Sequence, residues 1–489
     1  MHELQTADSV LRGIKSVVET ERKLSVDGDF RLPDLAGHRL PRRLFTSTYF
    51  DTLDHCLARS SITLRRRVEN GSPAWQMKLP LNGARREIEF QEASKTPPPQ
   101  LVDALTVLLE GKHLVPIAHL QTSRTAIRMK PDGSHVTDVM LDTVSVLRGG
   151  SVIQQFREVE IESLDGREQD VDGLASALYQ AGARHHDGRP KLFRALSLPY
   201  ESPDAPPQEA SMEEHLRYRL LEQLQILKRC DPVARLAVDA EAVHQIRVAA
   251  RRMRTILLAV RKIALADWTE PLVSGLKWVS EIFARARDLD VQMNYFKREA
   301  EELKAHERRP LERFLHHLRA ERERTHRTLL DEMKSARYLG FIAKLVQEAD
   351  APAIVRSDQT LTDVAARQFR KLRKTVKRLR DSPSDNALHR VRIKTKRARY
   401  AAELACAGGG KPIARFIKRA TQFQDLLGRH QDAVLAEQHV RSFVKHQTSK
   451  QAAFTAGLLV ARAKRQRQEI REELWSEWKR LKKQGQRAW

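Results

Sequence analysis

Glu19, Glu21 and Lys23 stand two apart in the segment VETERKLSV. On a β-strand successive side chains alternate, so all three face one way. Two acids and a cation on one face do not suit an apolar core. The spacing recurs in Arg65 with Arg67, Gln76 with Lys78, Arg85 with Glu87 and Glu89, and Glu158 with Glu160 and Glu162. Val159 and Ile161 occupy the opposite face of the last of these segments. Taken singly, each segment also fits an antiparallel sheet with a charged solvent face. Taken together, some strands gather acids and others bases. An anionic substrate with a hard divalent metal needs both: carboxylates for Mg²⁺ or Mn²⁺, Lys and Arg for phosphate oxygens.

A second pattern occurs twice. VHQIRVAARRMR begins at Val243 and LHRVRIKTKRAR at Leu388, which puts His244 and His389 145 residues apart. Cations follow each His at the same offsets: Arg247, Arg251, Arg252 and Arg254, then Arg392, Lys396, Arg397 and Arg399. EIFARARDLDV and DLLGRHQDAVL also match, with Asp288 and Asp432 144 apart. At ~100° per residue, His244, Arg247, Arg251 and Arg254 fall within about 80° and form one helical stripe. Ile246, Ala250, Met253 and Leu257 form an apolar stripe beside it. A solvated helix mixes acids with bases, because like charges at i,i+4 cost ~0.2–0.5 kcal/mol. Residues 242–266 and 386–402 each contain six Lys+Arg and no acid. An anion site accounts for that repulsion better than a solvated face does. Apart from Tyr400 the motifs lack the aromatic platforms that nucleic-acid bases stack on, which favours a ligand made of phosphates alone.

The elements that must carry these residues differ between the two halves. Through residue 200 the chain reads as strands, among them SITLRRRV, AWQMKLP, REIEFQE, HVTDVMLDTVSVL and REVEIES, with helices at VDALTVLLEG and VDGLASALYQAGA. LPYESPDAPPQEAS has the composition of a linker. From Met212 the apolar spacing turns to three and four, with short loops at RDSPSDN and CAGGGKP. Residues 1–200 carry 27 Lys+Arg against 26 Asp+Glu, and residues 201–489 carry 60 against 37, so the second half holds nearly all of the net +24. Such a charge bears on partners rather than fold. Cys56, Cys230 and Cys406 match no zinc or redox spacing and fit a reducing compartment. The N-terminal segment has no apolar signal region, and no run approaches the ~18 apolar residues of a membrane span. The expectation is a cytoplasmic protein.

Glu19-Thr-Glu21-Arg-Lys23, TYFDT at 48–52, LRRR at 64–67, QMK at 76–78, RREIE at 85–89, Arg124, LD at 141–142, EVEIE at 158–162, Lys191 and Arg194 together resemble the CYTH domain, the triphosphate tunnel metalloenzyme family. HQIRVAARRMR, KWVSEIFARARDLDV, HRVRIKTKRARYAAEL and LLGRHQDAVL resemble the CHAD domain, the conserved histidine α-helical domain. The resemblance implies a multidomain chain: an N-terminal α+β domain at 15–200 with an eight-stranded antiparallel sheet closed into a tunnel, a linker at 201–211, and an all-α domain at 212–485. The latter would hold two pseudo-symmetric helical bundles, at about 212–350 and 358–485.

The resemblance also implies roles. Glu19, Glu21 and Lys23 would be catalytic. Lys23, Arg65, Arg67, Lys78, Arg85, Arg124, Lys191 and Arg194 would bind a triphosphate. Glu19, Glu21, Glu160, Glu162, Glu158 and Asp142 would hold Mg²⁺ or Mn²⁺. The repeated His, Arg and Lys residues would bind polyphosphate. The chain departs from the CYTH pattern in the ALSL after Arg194 and in Ser163 after Glu162. The leading expectation is a metal-dependent inorganic triphosphatase, acting on tripolyphosphate and carrying a domain for long-chain polyphosphate. One alternative is a non-catalytic protein that targets polyphosphate bodies or storage granules. The other is a nucleic-acid-binding protein, against which the scarcity of aromatics argues.

Overall fold

The structure is a computed structural model, and it describes residues 14–81, 84–130, 136–163, 168–199, 205–207, 209–237, 239–355, 359–445 and 449–489. Residues 201–204 and 208 of the expected linker at 201–211 lie outside them. The chain divides into two compact units, Met1–Asp204 with Lys228–Val238, and Ala205–Leu227 with Asp239–Trp489.

The first unit is built on β1 (Ile14–Ser25), β2 (His38–Asp51), β3 (Thr63–Glu69), β4 (Ser72–Leu81), β5 (Ala84–Phe90), β6 (Val115–Met129), β7 (Thr137–Arg148), β8 (Ser151–Ser163) and β9 (Arg184–His185). Short helices α1 (Cys56–Arg59), α2 (Pro99–Ala104), α3 (Thr106–Leu109), α4 (Glu168–Gln180) and α5 (Lys191–Ala195) lie between or after them. All pairings are antiparallel, in the order β5-β4-β3-β2-β6-β7-β8-β1-β9, with a further pairing of β5 to β1. The expected count of eight strands is thus corrected to nine among the described residues, the ninth being a two-residue strand beside β1. β1 is shared along its length: Ile14–Glu19 pair with β5, and Thr20–Ser25 pair with β8. Each of β1 to β8 therefore has a strand neighbour on both edges. β3 and β8 stand four pairings apart, whether counted through β2, β6 and β7 or through β4, β5 and β1.

Alternation sorts the two faces of these strands. Leu24, Ile127, Val139, Leu141, Val159 and Ile161 form one buried cluster, covered by Val171, Ala175 and Leu178 of α4. The charged residues between them face the other way, so the packed apolar face is the one under the helix. Leu192 and Phe193 anchor α5 against Tyr49, Leu120 and Val144. Asp51, fully buried, accepts hydrogen bonds from the backbone N–H of Thr52, Leu57 and Ala58 at 2.7, 2.9 and 2.9 Å, which fixes the turn into α1. The expected helix VDALTVLLEG is two short ones, broken at Leu105.

The second unit is all-helical: α6 (Met212–Arg235, of which the residues from Lys228 on belong to the first unit), α7 (Ala240–Val260), α8 (Ala266–Ile282), α9 (Ala284–Glu301), α10 (Ala305–Lys334), α11 (Ala336–Asp350), α12 (Leu361–Lys377), α13 (Asp385–Leu404), α14 (Cys406–Lys445) and α15 (Lys450–Ala488). α7 starts on Asp239, α13 on Ser384 and α15 on Ser449, each accepting a backbone N–H as an N-cap residue should. The expected loop CAGGGKP is instead absorbed into α14, which kinks at Gly410, where φ is 60°. Glycine tolerates that left-handed angle, and Pro412 suits the first turn of the stretch beyond. The repeated helices α7 and α13 pack on each other. Their buried faces carry Ile246, Ala250, Met253 and Leu257, and Leu388, Val391, Thr395 and Ala398. Phe296, Phe314 and Phe443 join α9, α10 and α14, with ring centroids 5.2–6.1 Å apart.

Candidate functional sites

The inward strand faces line a cavity of about 350 Å³. Its walls include Glu21, Lys23, Arg65, Arg67, Gln76, Lys78, Arg85, Arg124, Glu160, Glu162 and Lys191, so the alternating residues of five segments do meet in one space. The charges are sorted by strand. β3 supplies Arg65 and Arg67, and β8, four pairings away, supplies Glu158, Glu160 and Glu162.

The acid side is wired to buried cations. Lys191 Nζ lies 2.7 Å from Glu160, 2.8 Å from Glu158 and 3.0 Å from Asp142. Lys23 Nζ lies 2.7 Å from Glu160 and 3.8 Å from Glu158. Arg124 donates to both oxygens of Asp142 at 2.7 and 2.6 Å and to Glu160 at 2.7 Å. Arg194 donates to Glu158 at 2.8 Å. Burial alone would raise the Glu160 carboxyl, but Lys191, Lys23 and Arg124 hold it well below its usual range. Burial would likewise lower the Lys191 ammonium, and Glu158, Glu160 and Asp142 hold it well above instead.

Glu21 and Glu162 differ from these. They are direct cross-strand partners. Arg85 donates to Glu21 at 3.1 Å. Glu162 makes no ion pair among the described residues, and burial raises its carboxyl, with Glu160 and Glu21 adding to the effect against Lys78 and Arg124. Glu19 pairs with Arg85 through its backbone. Its side chain lies outside those described.

The base side is held by both neutral and acidic neighbours. Arg65 donates to Gln76 at 2.8 Å and to the Tyr49 hydroxyl at 3.3 Å, and Gln76 passes a hydrogen bond to Glu89 at 2.7 Å. Lys78 pairs with Glu87 at 2.7 Å. Arg67 lies over the Phe45 ring at 3.8 Å and pairs with Glu69 at 2.5 Å. Burial, then Arg65 and Arg124, pull its guanidinium down to about 10, still a cation at neutral pH. Its Nε is buried with no hydrogen-bond partner.

In the helical unit the same offsets converge. Arg247 donates to Asp288 at 3.0 Å and to the Ala284 carbonyl at 3.4 Å. Arg392 lies over Gly428, the position 144 residues beyond Ala284, 3.9 Å from where a Cβ would stand. His389 Nδ1 contacts Gln431 Oε1 at 2.8 Å. Arg252 instead pairs with Glu403, and Arg399 stands 3.6 Å from the same carboxylate. Arg251, Arg254, Arg392, Lys396 and Arg397 have no ion pair among the described residues. The Nε atoms of Arg247, Arg254, Arg392 and Arg399 are all buried without a hydrogen-bond partner. Those are the +3 and +10 positions of both copies. Partial burial, then Arg287, Arg247 and Arg251 among the neighbours, lower the His244 imidazole below its ordinary value.

The CYTH domain family matches residues 18–185, and the CHAD domain family matches residues 219–441. The chain is a CYTH domain followed by a CHAD domain. An uncharacterized protein of Mycobacterium tuberculosis is 28% identical over 511 residues, covering 96% of this chain and 98% of the relative. Among solved structures, PptA from Streptomyces chartreusis is similar at 21% identity and a TM-score of 0.47, covering 55% of this chain and 100% of that one. The CHAD domain of the plant Ricinus communis is similar at 22% identity and a TM-score of 0.46, covering 58% and 96%. Among the described residues no helix is long and apolar enough to cross a membrane.

Within the CYTH domain, several cavity residues carry no signal in the alternation. Phe45, Arg43 and Tyr49 come from β2, and Arg128, Asp138 and Met140 from β6 and β7. Arg128 and Asp138 form an ion pair at 2.7 Å across those two strands. Within the CHAD domain, Gly428 and Ala284 are the small residues over which Arg392 and Arg247 lie, and the sequence reading did not single them out, although they stand at the same 144-residue spacing as Asp288 and Asp432.

Proposed function

We propose that this chain is a metal-dependent inorganic triphosphatase, acting on tripolyphosphate, whose CHAD domain binds longer polyphosphate. The supporting observation is the sorting of charge across one cavity: Arg65 and Arg67 on β3, and Glu160 and Glu162 on β8, four pairings away. We take the eight long strands as a tunnel, within the expected 15–200 domain, and the triphosphate as lying between the two walls. Arg65, Arg67, Lys78, Arg85 and Arg124 would grip the phosphate oxygens, with Lys23, Lys191 and Arg194 at the acid side. Phosphoryl transfer asks mainly for positioning and charge neutralisation, which fixed cations provide.

The carboxylates fit a hard divalent cation, Mg²⁺ or Mn²⁺, in their chemistry. Among the described residues no three acids or histidines already converge as ligands. Glu21 and Glu162 are the best placed: they face each other across adjacent strands, and Glu162 makes no ion pair among the described residues. Glu160 and the neighbouring Glu19 would complete the set. Glu158 and Asp142 are fully buried and already met by Lys191, Arg194 and Arg124, so we assign them to holding those cations in place. When bound, a divalent cation would neutralise phosphate charge and polarise the attacking water.

In the CHAD domain, spanning the expected 212–485, the four matched guanidinium groups whose buried Nε atoms lack a hydrogen-bond partner support binding of a bare phosphate chain. His244 and His389 would donate hydrogen bonds there. Arg252 and Arg397 would contribute charge from the flank.

One observation favours a second reading, a binding protein without turnover: Glu160 is already ion-paired with two lysines and an arginine. Phosphate release from tripolyphosphate with Mg²⁺ or Mn²⁺ separates the two. The enzymatic reading expects release by the wild type and its loss in Glu21→Ala and Lys23→Ala. Binding of tripolyphosphate with no metal-dependent release by the pure wild type ends it and leaves the scaffold.

A further inference from the structure

The two CHAD repeats differ in the helix that precedes the basic motif. α6, before α7, carries Glu213, Glu214 and Glu222 among its bases. α12, before α13, carries Arg367, Arg370, Lys371, Arg373, Lys374 and Lys377 with one acid, Asp363. That acid is spent at the N-terminus, where it accepts from the backbone N–H and hydroxyl of Thr360 at 2.9 and 2.8 Å. The rest of the helix is uncompensated, with like charges at i,i+4 in Arg367–Lys371, Arg370–Lys374 and Arg373–Lys377.

Elsewhere in the same unit, several bases find acids. Arg462 meets Glu299 and Glu302, Arg467 and Arg471 meet Asp385, and Arg441 meets Glu437. On α12, Arg370, Lys371, Arg373, Lys374 and Lys377 are exposed, and none pairs with an acid among the described residues. α12 packs along α13 and also meets α7. Lys394 and Arg397 of α13 likewise have no acid partner. The cations form a series. Partial burial, then Arg367, Lys262 and Arg397, lower the Lys371 ammonium. Partial burial, then Arg397 and Lys371, lower that of Lys394. Arg397 in turn is lowered by partial burial and by Arg254 of the central stripe. The track therefore leads from the repeated motif outward onto α12.

We propose that α12, with Lys394 and Arg397, is a second polyanion subsite that takes the phosphate units of a long polyphosphate running on past the central cluster. This rests on the reading of the CHAD domain as a polyphosphate binder. The ligand class follows from the side chains present. Lys and Arg act on phosphate without regard to sequence, and the one aromatic on α12, Phe369, is buried at 2% exposure and offers no platform for a base. The subsite belongs to one repeat only, so it adds length preference and a direction to a domain that is otherwise pseudo-symmetric.

The test uses the full chain with Lys371→Glu, Lys374→Glu and Lys394→Glu combined, and a second variant with Gln at the same three positions. Binding is measured by calorimetry against long-chain polyphosphate and against an oligophosphate short enough for the central cluster alone to span. The expected result is about tenfold weaker binding of the long chain, with a salt dependence shallower by about one per cation removed, by analogy with counterion release. Short-chain binding stays unchanged. The Gln variant shows the same order of effects, since removing like charges from an exposed helix leaves the fold intact. Equal loss for both ligands, or no loss for either, overturns the subsite. So does loss of RNA or DNA binding with long-chain polyphosphate unaffected. A wild type that binds no polyphosphate of any length overturns instead the reading on which the subsite rests.

Discussion

The Lys191 ammonium stands 2.7 Å from the Glu160 carboxylate, and each residue is only 7% exposed. One comes from the start of α5 and the other from the last third of β8, so the pair ties the helix to the acid wall. Glu158 and Asp142 share the same ammonium. Lys191→Met removes the shared cation from three buried carboxylates. Breaking a buried pair by removing one partner costs ~3–5 kcal/mol, which urea unfolding will read. The pH dependence has a definite sign. Glu160 and Glu158 are held below their ordinary values by these cations, so their pairing stabilises the fold above the unfolded carboxylate range and is lost as pH falls through and below ~4. Lys191→Met weakens that depression, and the acid-unfolding midpoint moves to higher pH. An unchanged midpoint would show that Lys23 and Arg124 carry the carboxylates alone.

Phe45 is a positioning residue. Its ring lies under Arg67 at 3.8 Å and within 5.6 Å of Arg124, the two guanidinium groups that reach the cavity from opposite sides of β2. A cation over a ring contributes ~0.5–2 kcal/mol, depending on desolvation. Phe45→Leu keeps the apolar volume and removes the ring face. The expected outcome is a raised KM for tripolyphosphate with a smaller change in kcat, and recovery in Phe45→Trp. Equal loss in both variants would mean simple damage to packing.

The site was legible where a strand alternates strictly. β1, β3, β4, β5 and β8 each place two or more charged or amide side chains at a spacing of two, and each strand lines the cavity with at least two of them. β2 was not legible in that way. Arg43, Phe45 and Tyr49 follow the spacing but mix charge with aromatic residues, and the β-bulges between Leu40 and Arg43 and between Tyr49 and Phe50 shift the register against β6. The ion pairing of Glu158 and Asp142 was also hidden. Spacing shows which way a carboxylate points, but not that a lysine 33 residues further on, from a helix, will reach Glu158. In the helical half the repeat showed both cationic stripes. It could not show that Arg252 turns to Glu403, since that contact crosses from one repeat to the other.

Glu162 and Glu158 lie on one face of β8 four residues apart, yet substitution should separate them. Glu158 is fully buried and bonded to Lys191 and Arg194, whereas Glu162 has no ion pair among the described residues. Glu158→Gln leaves cations without their counter-charge and lowers the melting temperature. Glu162→Gln removes a carboxyl that burial and Glu160 already make costly to ionise, so stability holds or rises slightly. If Glu162 is a metal ligand, its Gln variant will need a higher Mn²⁺ concentration for half-saturation by calorimetry in the presence of tripolyphosphate. A Glu162→Gln chain that binds Mn²⁺ as the wild type does would remove it from the ligand set.

Lys396 gives the CHAD domain a pH dependence near neutrality. Partial burial, then Arg251 from α7 and Arg392 and Arg399 from its own helix, pull its ammonium down to about 7 against the opposing pull of Asp432 from α14. A bound phosphate chain favours the charged form, so binding above that pH takes up a proton. Affinity for polyphosphate therefore falls as pH rises through 7, by at most about tenfold per unit from this one group. Stability of the unliganded chain moves the opposite way. Unfolded Lys stays protonated to ~10.4, so between about 7 and that value the unfolded state binds the extra proton and stability rises with pH. Lys396→Arg keeps a charge at every accessible pH and should flatten the binding profile while leaving strong binding above pH 7. Binding isotherms for polyphosphate on either side of neutrality, compared between wild type and this variant, decide it: parallel profiles would mean that another group, with His244 the first candidate, carries the proton.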